Sequence, residues 1–509
     1  MAKFPTVRAP KIEEVLDIAD SYGLTLTIED AESFRKMMAG TAAVYSRLDE
    51  LPDVKLPVKY PRDPGHRPQP ADNKYNQWYW RCEVKGKKNG PLAGKRIALK
   101  DNICLAGVPM MNGASVLEGF VPDIDATVVT RILDAGGTII GKAANTYLCF
   151  DGGSATTATG MVENPRKPGH SSGGSSAGSA VVIVTGEADM ALGGDQGGSV
   201  RMPGAWSGIV GHKPTHGLVP YTGVFPIEAT LDHCGPMAGT VRDTATLLQV
   251  IAGVDGYDPR QIGTKTQNYV AALEKGVKGL KVGVVKEGFG HPESERVTDS
   301  KVKAAADVFK KLGAEVKQIS VPWHLHGLDI WTPIATEGAT AQMLKGNGMG
   351  WNWEGYYNTS LLDAYARGWR TRPNDLSETV KLVMMTGEFM HRNYHGRFYA
   401  KAQNLSRLLR DAYDAALAEY DVLVMPTIPF RATKLPAPDC SREEYVDTAL
   451  NMLRNTAPFD CSGHPALTIP CGVSDDLPIG MMIIGKRYDD ATVLQFAQAF
   501  EAATDWKEM

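Results

Sequence analysis

The 509-residue sequence has no apolar run that approaches the roughly 18 residues of a membrane-spanning helix, and its N-terminus lacks the apolar core of a secretory signal. Its net charge is only −4, which provides no general attraction to nucleic acid or to an anionic membrane. No fixed-period repeat or low-complexity tract is present, which argues against solenoid and disordered classes. We therefore predict a cytoplasmic globular protein with no nucleic-acid or membrane partner.

Cysteine is also scarce, and no two cysteines form a C-x-x-C pair. The seven cysteines are odd in number and spread widely from Cys82 to Cys471. This usage is typical of reduced thiols in the cytoplasm rather than of a disulfide framework or a zinc site.

The N-terminal part of the sequence differs from the rest. Apolar residues at helical spacing predict helices over residues 11–22 and about 29–48. Six prolines then lie between Pro52 and Pro70, a density that favours an extended connector. We predict two domains: a helical extension with its proline-rich connector over residues 1–91, and a main body over residues 92–509.

In the main body, short β runs alternate with amphipathic helices. Glycines 136 and 313 occupy positions where a helix commonly ends with positive φ. This alternation predicts an α/β fold with an α/β/α layered body. The predicted strands are residues 96–100, 138–142, 280–285, 314–319, 422–426, 466–470 and 479–485, and the predicted helices are 126–134, one ending at 312, about 390–419, and 491–503.

Two short patterns suggest ligand sites but have simpler explanations. AGGTIIGKA has the spacing of a phosphate-binding loop through Lys142, but Ala143 replaces the required Ser or Thr and the segment runs from helix to strand. Glu388, His391 and His395 could share one helix face as metal ligands. Because the sequence marks no further ligand at a distant position and no supporting shell, a solvated or interface face is the better interpretation.

The stretch GHSSGGSSAGSA, residues 169–180, contains two successive G-x-S-x-G patterns, centred on Ser171 and Ser176. In an α/β-hydrolase this pattern follows a strand, and the serine uses a histidine and an acid later in the chain. Here two prolines in ENPRKPGH make a preceding strand improbable, which disfavours a serine-histidine-acid hydrolase.

A second serine-bearing loop, LGGDQGGSVRMPG, places Ser199 directly after Gly197 and Gly198. Successive glycines let neighbouring N–H groups converge on one point beside the serine hydroxyl. The N–H groups of Gln196, Gly197, Gly198 and Ser199 could then form an oxyanion hole. The alternative is a tight turn between core elements.

Lys100 ends the apolar strand RIALK. Burial of an ammonium lowers its pKa, and the neutral amine is a competent base. Considered alone, such a lysine more often extends its charge to solvent or forms a salt bridge.

Taken together, these segments resemble the amidase signature family, whose catalytic centre is a Ser-cisSer-Lys triad. The resemblance is carried by Lys100 in ALKDNI, GGSSAGSA at 173–180 and GGDQGGSVRMP at 193–203, with GKAAN, GHKPTHG and DHCGPMA in support. It covers roughly residues 92–490. It implies an α/β/α layered fold with a central mixed β-sheet.

The resemblance also implies roles for individual residues. Ser199 resembles the nucleophile, Ser175 the bridging serine with a cis peptide, and Lys100 the base. Ser175 is preferred to Ser171 because its 24-residue spacing to Ser199 matches the family. Ser176 would support the triad, and the pair formed by Asp195 and Arg201 would brace the glycine turn. Ala177 departs from the family, which usually has Gly or Ser there.

The family function implied is an amidase that hydrolyses the C–N bond of small aliphatic or aromatic amides through an acyl-enzyme, without a metal or organic cofactor. Carbamate, hydrazide and anilide hydrolysis are close variants. A glutamine-hydrolysing amidotransferase subunit is the other alternative, although those proteins usually read D-T-G-G-S where this chain has Gln196. The resemblance further implies a homodimer. The aromatic residues Trp331, Trp351 and Trp353 could line the substrate pocket or belong to a core or dimer contact.

Overall fold

A computed structural model describes residues 6–509 of the chain. The described residues form two compact units that divide between Leu56 and Pro57. Among the described helices, none combines the length and apolar character needed to cross a membrane.

The N-terminal unit is a pair of helices, α1 (Ile12–Ser21) and α2 (Ile28–Asp49), which confirms the helices predicted there. The α2 helix begins at a capping box. The Thr27 hydroxyl accepts the Asp30 N–H at 3.1 Å, and the Asp30 carboxylate accepts the Thr27 N–H at 3.0 Å.

The larger unit contains one mixed sheet of 11 strands within the described residues. The strands are β1 (Trp78–Lys85), β2 (Arg96–Lys100), β3 (Thr138–Ala143), β4 (Met190–Asp195), β5 (Val210–Lys213), β6 (His233–Ala238), β7 (Lys281–Val285), β8 (Glu315–Ile319), β9 (Val422–Pro426), β10 (Ala466–Ser474) and β11 (Leu477–Ile484). Their order in the sheet is β1-β3-β2-β4-β6-β5-β10-β11-β9-β7-β8. The pairs β2/β3, β2/β4, β7/β8 and β7/β9 are parallel, and the other pairs are antiparallel.

Helices cover both faces of this sheet, which confirms the α/β layered prediction. The helices are α3 (Thr127–Asp134), α4 (Ala177–Val184), α5 (Arg201–Ser207), α6 (Val241–Ile251), α7 (Tyr269–Ala272), α8 (Arg296–Lys311), α9 (Gly327–Pro333), α10 (Thr359–Thr371), α11 (Glu378–Tyr394), α12 (Arg397–Glu419), α13 (Arg442–Leu450), α14 (Pro458–Ser462) and α15 (Asp490–Ala503). Alternate residues of β9 face opposite layers of helices. Val422 and Val424 join the core that includes α3, α6, α8 and α15, whereas Leu423 and Met425 join the core that includes α9 and α12.

Two predictions about boundaries need correction. The domain boundary lies at 56/57 rather than after residue 91, because β1 pairs with β3 and joins the main sheet. The helix predicted over about 390–419 is interrupted, because His395 and Gly396 adopt positive φ of 55° and 76° between α11 and α12. The glycines predicted to end helices do have positive φ, 89° at Gly136 and 87° at Gly313.

Candidate active site

The three candidate catalytic residues are brought to one edge of the sheet by its topology. Strands β2 and β4 are parallel neighbours, so their carboxyl ends meet at the same edge. Lys100 is the last residue of β2, and Ser199 lies in the turn that connects β4 to α5. Ser175 lies two residues before α4 and follows a cis peptide bond from Gly174. The ends of β2 and β4 and the start of α4 therefore bring the three residues to the same edge of the sheet.

Lys100 contacts Ser175 directly in a fully buried environment. The Lys100 Nζ lies 2.6 Å from Ser175 Oγ and donates to the Gly194 carbonyl oxygen at 3.2 Å. Burial lowers the pKa of the Lys100 amine from its ordinary value of 10.5, although nearby Cys149 and Asp195 act in the opposite direction. A neutral amine has one lone pair, which can accept the Ser175 proton while one of the amine's own N–H groups donates to the Gly194 carbonyl oxygen.

Ser176 connects the two serine-bearing loops. Its N–H donates to the Ser199 carbonyl oxygen at 3.3 Å, and its hydroxyl donates to the Gly194 carbonyl oxygen at 3.2 Å. The Gly194 N–H in turn donates to the Ser176 hydroxyl at 3.3 Å. These contacts hold the segment after Ser175 against the strand that leads to Ser199.

The turn around Ser199 is fixed from beneath by the buried pair of Asp195 and Arg201. The Asp195 carboxylate accepts the Gly198 N–H at 2.6 Å and the Val200 N–H at 3.0 Å. Arg201 donates to both carboxylate oxygens, at 2.9 and 3.0 Å, and reaches Asp460 at 2.6 Å. Burial alone would raise the pKa of Asp195, but the Arg201 guanidinium outweighs it and holds that pKa below its usual range. Asp195 therefore stays ionised as the anchor of this turn.

Replacing Arg201 should therefore destabilise the fold. Arg201→Ala leaves the buried Asp195 charge without its partner, and we expect the free energy of unfolding to fall by about 3–5 kcal/mol. Denaturant-induced unfolding measures this change. The control is Arg367→Ala, because Arg367 pairs with Asp363 on the surface with side chains 72% and 61% exposed, and its removal should leave stability nearly unchanged. Equal unfolding midpoints for the two variants would contradict the bracing role.

Gly197 and Gly198 are required in the turn because neighbouring side chains leave no room for a Cβ at either position. Gly198 has φ of +135°, and a Cβ there would lie 2.5 Å from Thr456 Oγ1. At Gly197 a Cβ would lie 2.9 Å from the Trp331 ring. The Gly198 N–H is already used by Asp195, so we leave it out of the oxyanion hole. Within residues 6–509, the N–H groups of Gln196, Gly197 and Ser199 donate to no protein acceptor.

Ser199 lines a narrow cavity with mostly apolar walls. Ser199 itself is only 6% exposed, so a substrate must enter the cavity to reach it. The lining residues are Cys149, Phe150, Asp151, Gly152, Gln196, Gly197, Ser199, Met202, Ile227, Leu231, Trp331, Ala335, Leu450 and Leu453.

Of the three tryptophans predicted as pocket residues, the structure places Trp331 alone in this wall. Trp351 is 65% exposed, and neither it nor Trp353 lines the cavity. No residue of the glycine-rich stretch 345–357, which contains both tryptophans, is among the residues that line the cavity. The prediction from aromatic clustering is therefore corrected for Trp351 and Trp353.

The sequence analysis named Gln196 only for its backbone N–H and did not identify Cys149 as a residue of the site. The Gln196 amide donates to Tyr221 Oη at 2.7 Å and to Asp232 Oδ1 at 3.0 Å. Cys149 interacts with the Lys100 and Ser175 side chains, and burial raises the pKa of its thiol. Cys149 follows β3, the parallel neighbour of β2, so sheet topology would have placed it near Lys100.

The residues of the other candidate motifs, which are the Ser171 pattern, the phosphate-loop-like segment and the possible metal ligands, make contacts that stabilise the fold. The Ser171 hydroxyl accepts the Gly173 N–H at 2.9 Å and is fully buried. Lys142 pairs with Asp101 at 3.0 Å. Glu388 pairs with Lys345 and Arg392, and His395 lies beyond the end of α11.

Comparisons with known proteins agree with this geometry. A sequence model of the family described as Amidase matches residues 74–494, a range that includes Lys100, Ser175 and Ser199. An enantioselective amidase of Rhodococcus rhodochrous is 46% identical over 499 residues, which cover 97% of this chain and 96% of that protein. A glutamyl-tRNA(Gln) amidotransferase subunit of Methanosarcina barkeri is 37% identical over 84% of this chain and 88% of its own length. The native peptide amidase of Stenotrophomonas maltophilia superposes with a TM-score of 0.68 at 28% identity, covering 82% of this chain and 83% of that one.

Proposed function

Because the chain belongs to the amidase signature family and is a hydrolase of amide carbon–nitrogen bonds, we propose that it cleaves small amides through an acyl-enzyme on Ser199. The observation that carries this proposal is the contact of 2.6 Å between a fully buried, pKa-lowered Lys100 and the Ser175 hydroxyl. A neutral amine there can relay a proton from one hydroxyl to activate another.

The mechanism proceeds in two halves. Lys100 accepts the Ser175 proton while Ser175 takes the Ser199 proton, and the Ser199 oxygen attacks the amide carbonyl. The N–H groups of Gln196, Gly197 and Ser199 stabilise the oxyanion. The C–N bond breaks as the relay returns the proton to the leaving nitrogen, which departs as ammonia or an amine. Water then attacks the Ser199 ester through the same relay and releases the carboxylic acid.

The cavity supports a substrate with a small apolar acyl group. Its walls beside Ser199 are formed by aliphatic and aromatic side chains such as Ile227, Leu453 and Trp331. The name of the Rhodococcus relative supports an amide as substrate. Carbamates, hydrazides and anilides with similar acyl groups are close variants of the same chemistry.

A glutamine-hydrolysing amidotransferase subunit is the second candidate, favoured by the 37% identity to the Methanosarcina protein. Gln196 disfavours it, because such amidotransferase proteins usually carry Thr at this place in the turn. The two candidates differ in one property: the amidase works as the chain alone, whereas the amidotransferase requires partner proteins.

The proposal is tested by measuring how the acyl-enzyme divides between water and hydroxylamine as acceptors of the acyl group. Purified chain is incubated with benzamide, benzanilide and methyl benzoate, each with and without hydroxylamine. A shared acyl-enzyme predicts the same ratio of benzohydroxamate to benzoate from all three, because the leaving group has gone before partition occurs. A ratio that changes with the leaving group contradicts the acyl-enzyme, and activity only after addition of partner proteins supports the amidotransferase.

We also propose that the chain is a cytoplasmic homodimer. The α2 helix exposes Phe34, Met37, Val44 and Leu48 to between 46% and 61%, an apolar surface that a second copy could cover. Sedimentation of the full chain measures whether it is a monomer or a dimer.

The cytoplasmic location is supported by the cysteines, because all seven are free, as is usual in a reducing compartment. Cell fractionation tests this location.

A further inference from the structure

Trp331 connects the cavity wall to the turn that contains Ser199. Its indole Nε1 donates to the Gln196 carbonyl oxygen at 2.6 Å, and its ring packs against Gly197. The same ring lines the cavity. Trp331 is anchored in α9, where Gly327 packs closely against Pro458.

The Gln196–Gly197 peptide group differs from the next one along the chain. The Gly197–Gly198 group is held at both ends, since Thr456 Oγ1 donates to its carbonyl oxygen at 2.6 Å and its N–H donates to Asp195. The Gln196–Gly197 group is held only at its carbonyl, by Trp331, and within residues 6–509 its N–H donates to no protein acceptor.

A trans peptide group points its C=O and N–H in opposite directions, so fixing one fixes the other. Glycine at 197 would otherwise give this group freedom to rotate, because that flanking residue has no Cβ to restrict its φ. A hydrogen bond donated to the carbonyl also polarises the group and strengthens the N–H as a donor.

We propose that Trp331 is a positioning residue for the oxyanion hole: its indole N–H orients and polarises the Gln196–Gly197 peptide group so that the Gly197 N–H binds the developing oxyanion. This inference rests on the proposed function, because it assumes that Ser199 attacks a carbonyl beside that N–H. It also assigns Trp331 a role that a purely apolar wall residue would not have.

The test is Trp331→Phe, which retains an aromatic wall but removes the indole N–H. Loss of a whole oxyanion donor costs about 10²- to 10³-fold in kcat. For a donor that is misoriented rather than removed, we expect kcat for benzamide to fall by about 10- to 100-fold. We expect KM to change by less than about 3-fold, because the hydrogen bond acts mainly on the transition state.

Two inhibitors distinguish a misoriented oxyanion hole from a change in the shape of the cavity wall. Benzaldehyde can form a tetrahedral adduct with Ser199, whereas benzyl alcohol only occupies the cavity. In Trp331→Phe, benzaldehyde should bind more weakly by about the same factor as kcat, and benzyl alcohol should bind as before. Equal weakening of both inhibitors, or an unchanged kcat, would overturn the proposal.

The matched control is Trp206→Phe. Trp206 is also buried and its indole N–H also donates to a backbone carbonyl, that of Phe430 at 3.2 Å, but it does not line the cavity. Both variants should lose stability, and only Trp331→Phe should lose kcat with KM retained.

A measurement on the unmodified protein keeps the proposal testable if Trp331→Phe does not fold. With ¹⁵N-labelled tryptophan, one indole N–H signal should shift further downfield with benzaldehyde than with benzyl alcohol, because both ligands contact the Trp331 ring but only benzaldehyde forms the adduct. If the two ligands shift that signal equally, or if neither shifts any indole signal, the proposal fails. If Ser199→Ala still hydrolyses amides, the proposed function fails instead, whatever Trp331→Phe does.

Discussion

Ser199→Ala should remain folded and lose amide hydrolysis by about 10⁴-fold or more in kcat. The alanine has no oxygen with which to form the acyl bond, so the path through the ester is closed. Residual turnover should come only from binding and from the N–H groups of the turn. The measurement is ammonia release from benzamide, with thermal unfolding to show that the variant is folded. Mass spectrometry of wild-type protein quenched during turnover should place the acyl group on the peptide that contains Ser199.

The matched control for this variant is Ser171→Ala. Ser171 is also buried, lies in the other serine-rich loop and fits the G-x-S-x-G pattern. Its hydroxyl lies 3.1 Å from the Ser154 hydroxyl and accepts the Gly173 N–H, so its loss should lower stability and leave most turnover. Retained hydrolysis by Ser199→Ala, together with loss in Ser171→Ala, would move the nucleophile to the other loop.

The parts of the fold that could be predicted from sequence are those in which local pattern and tertiary environment agree. The apolar run RIALK forms β2 over Arg96–Lys100, with the boundaries expected. Its neighbour β4 was not predicted, because MALGGD contains two glycines and an aspartate, which are unfavourable in an isolated strand. Strand β4 is nevertheless paired on both sides, with β2 and β6, and that pairing outweighs its local preference.

The site was predictable to the extent that its chemistry lies in continuous motifs. Lys100, Ser175 and Ser199 could each be chosen from a short segment. The groups that support them come from distant positions: Trp331 reaches the Gln196 carbonyl across 135 residues, and Asp460 reaches Arg201 across 259. No local pattern encodes such contacts. Aromatic density around Trp351 was misleading for the same reason, since composition does not specify which face of the molecule a residue reaches.

Lys100→Ala should lower kcat/KM at neutral pH by about 10²- to 10⁴-fold, the usual contribution of a general base. Its amine is the nitrogen base in contact with Ser175 Oγ. The Cys149 thiol also interacts with Ser175, but burial raises the pKa of that thiol and favours its protonated form. Only the neutral amine can accept a proton. In the wild-type protein kcat/KM should therefore rise with pH as Lys100 deprotonates, with a midpoint below 10.5 because burial lowers the pKa of that amine.

The variant should lose the plateau that the wild-type protein reaches once Lys100 is neutral, and its rate should keep rising with hydroxide concentration. Its deficit should therefore be larger near neutral pH than in alkaline solution. Lys100→Arg is the matched control, since it restores a long cationic side chain that cannot deprotonate and should be as inactive as the alanine variant. A small primary amine added to Lys100→Ala should restore part of the rate by occupying the vacated space. Wild-type rates at neutral pH in either variant would remove Lys100 as the base and leave Ser175 without a proton acceptor.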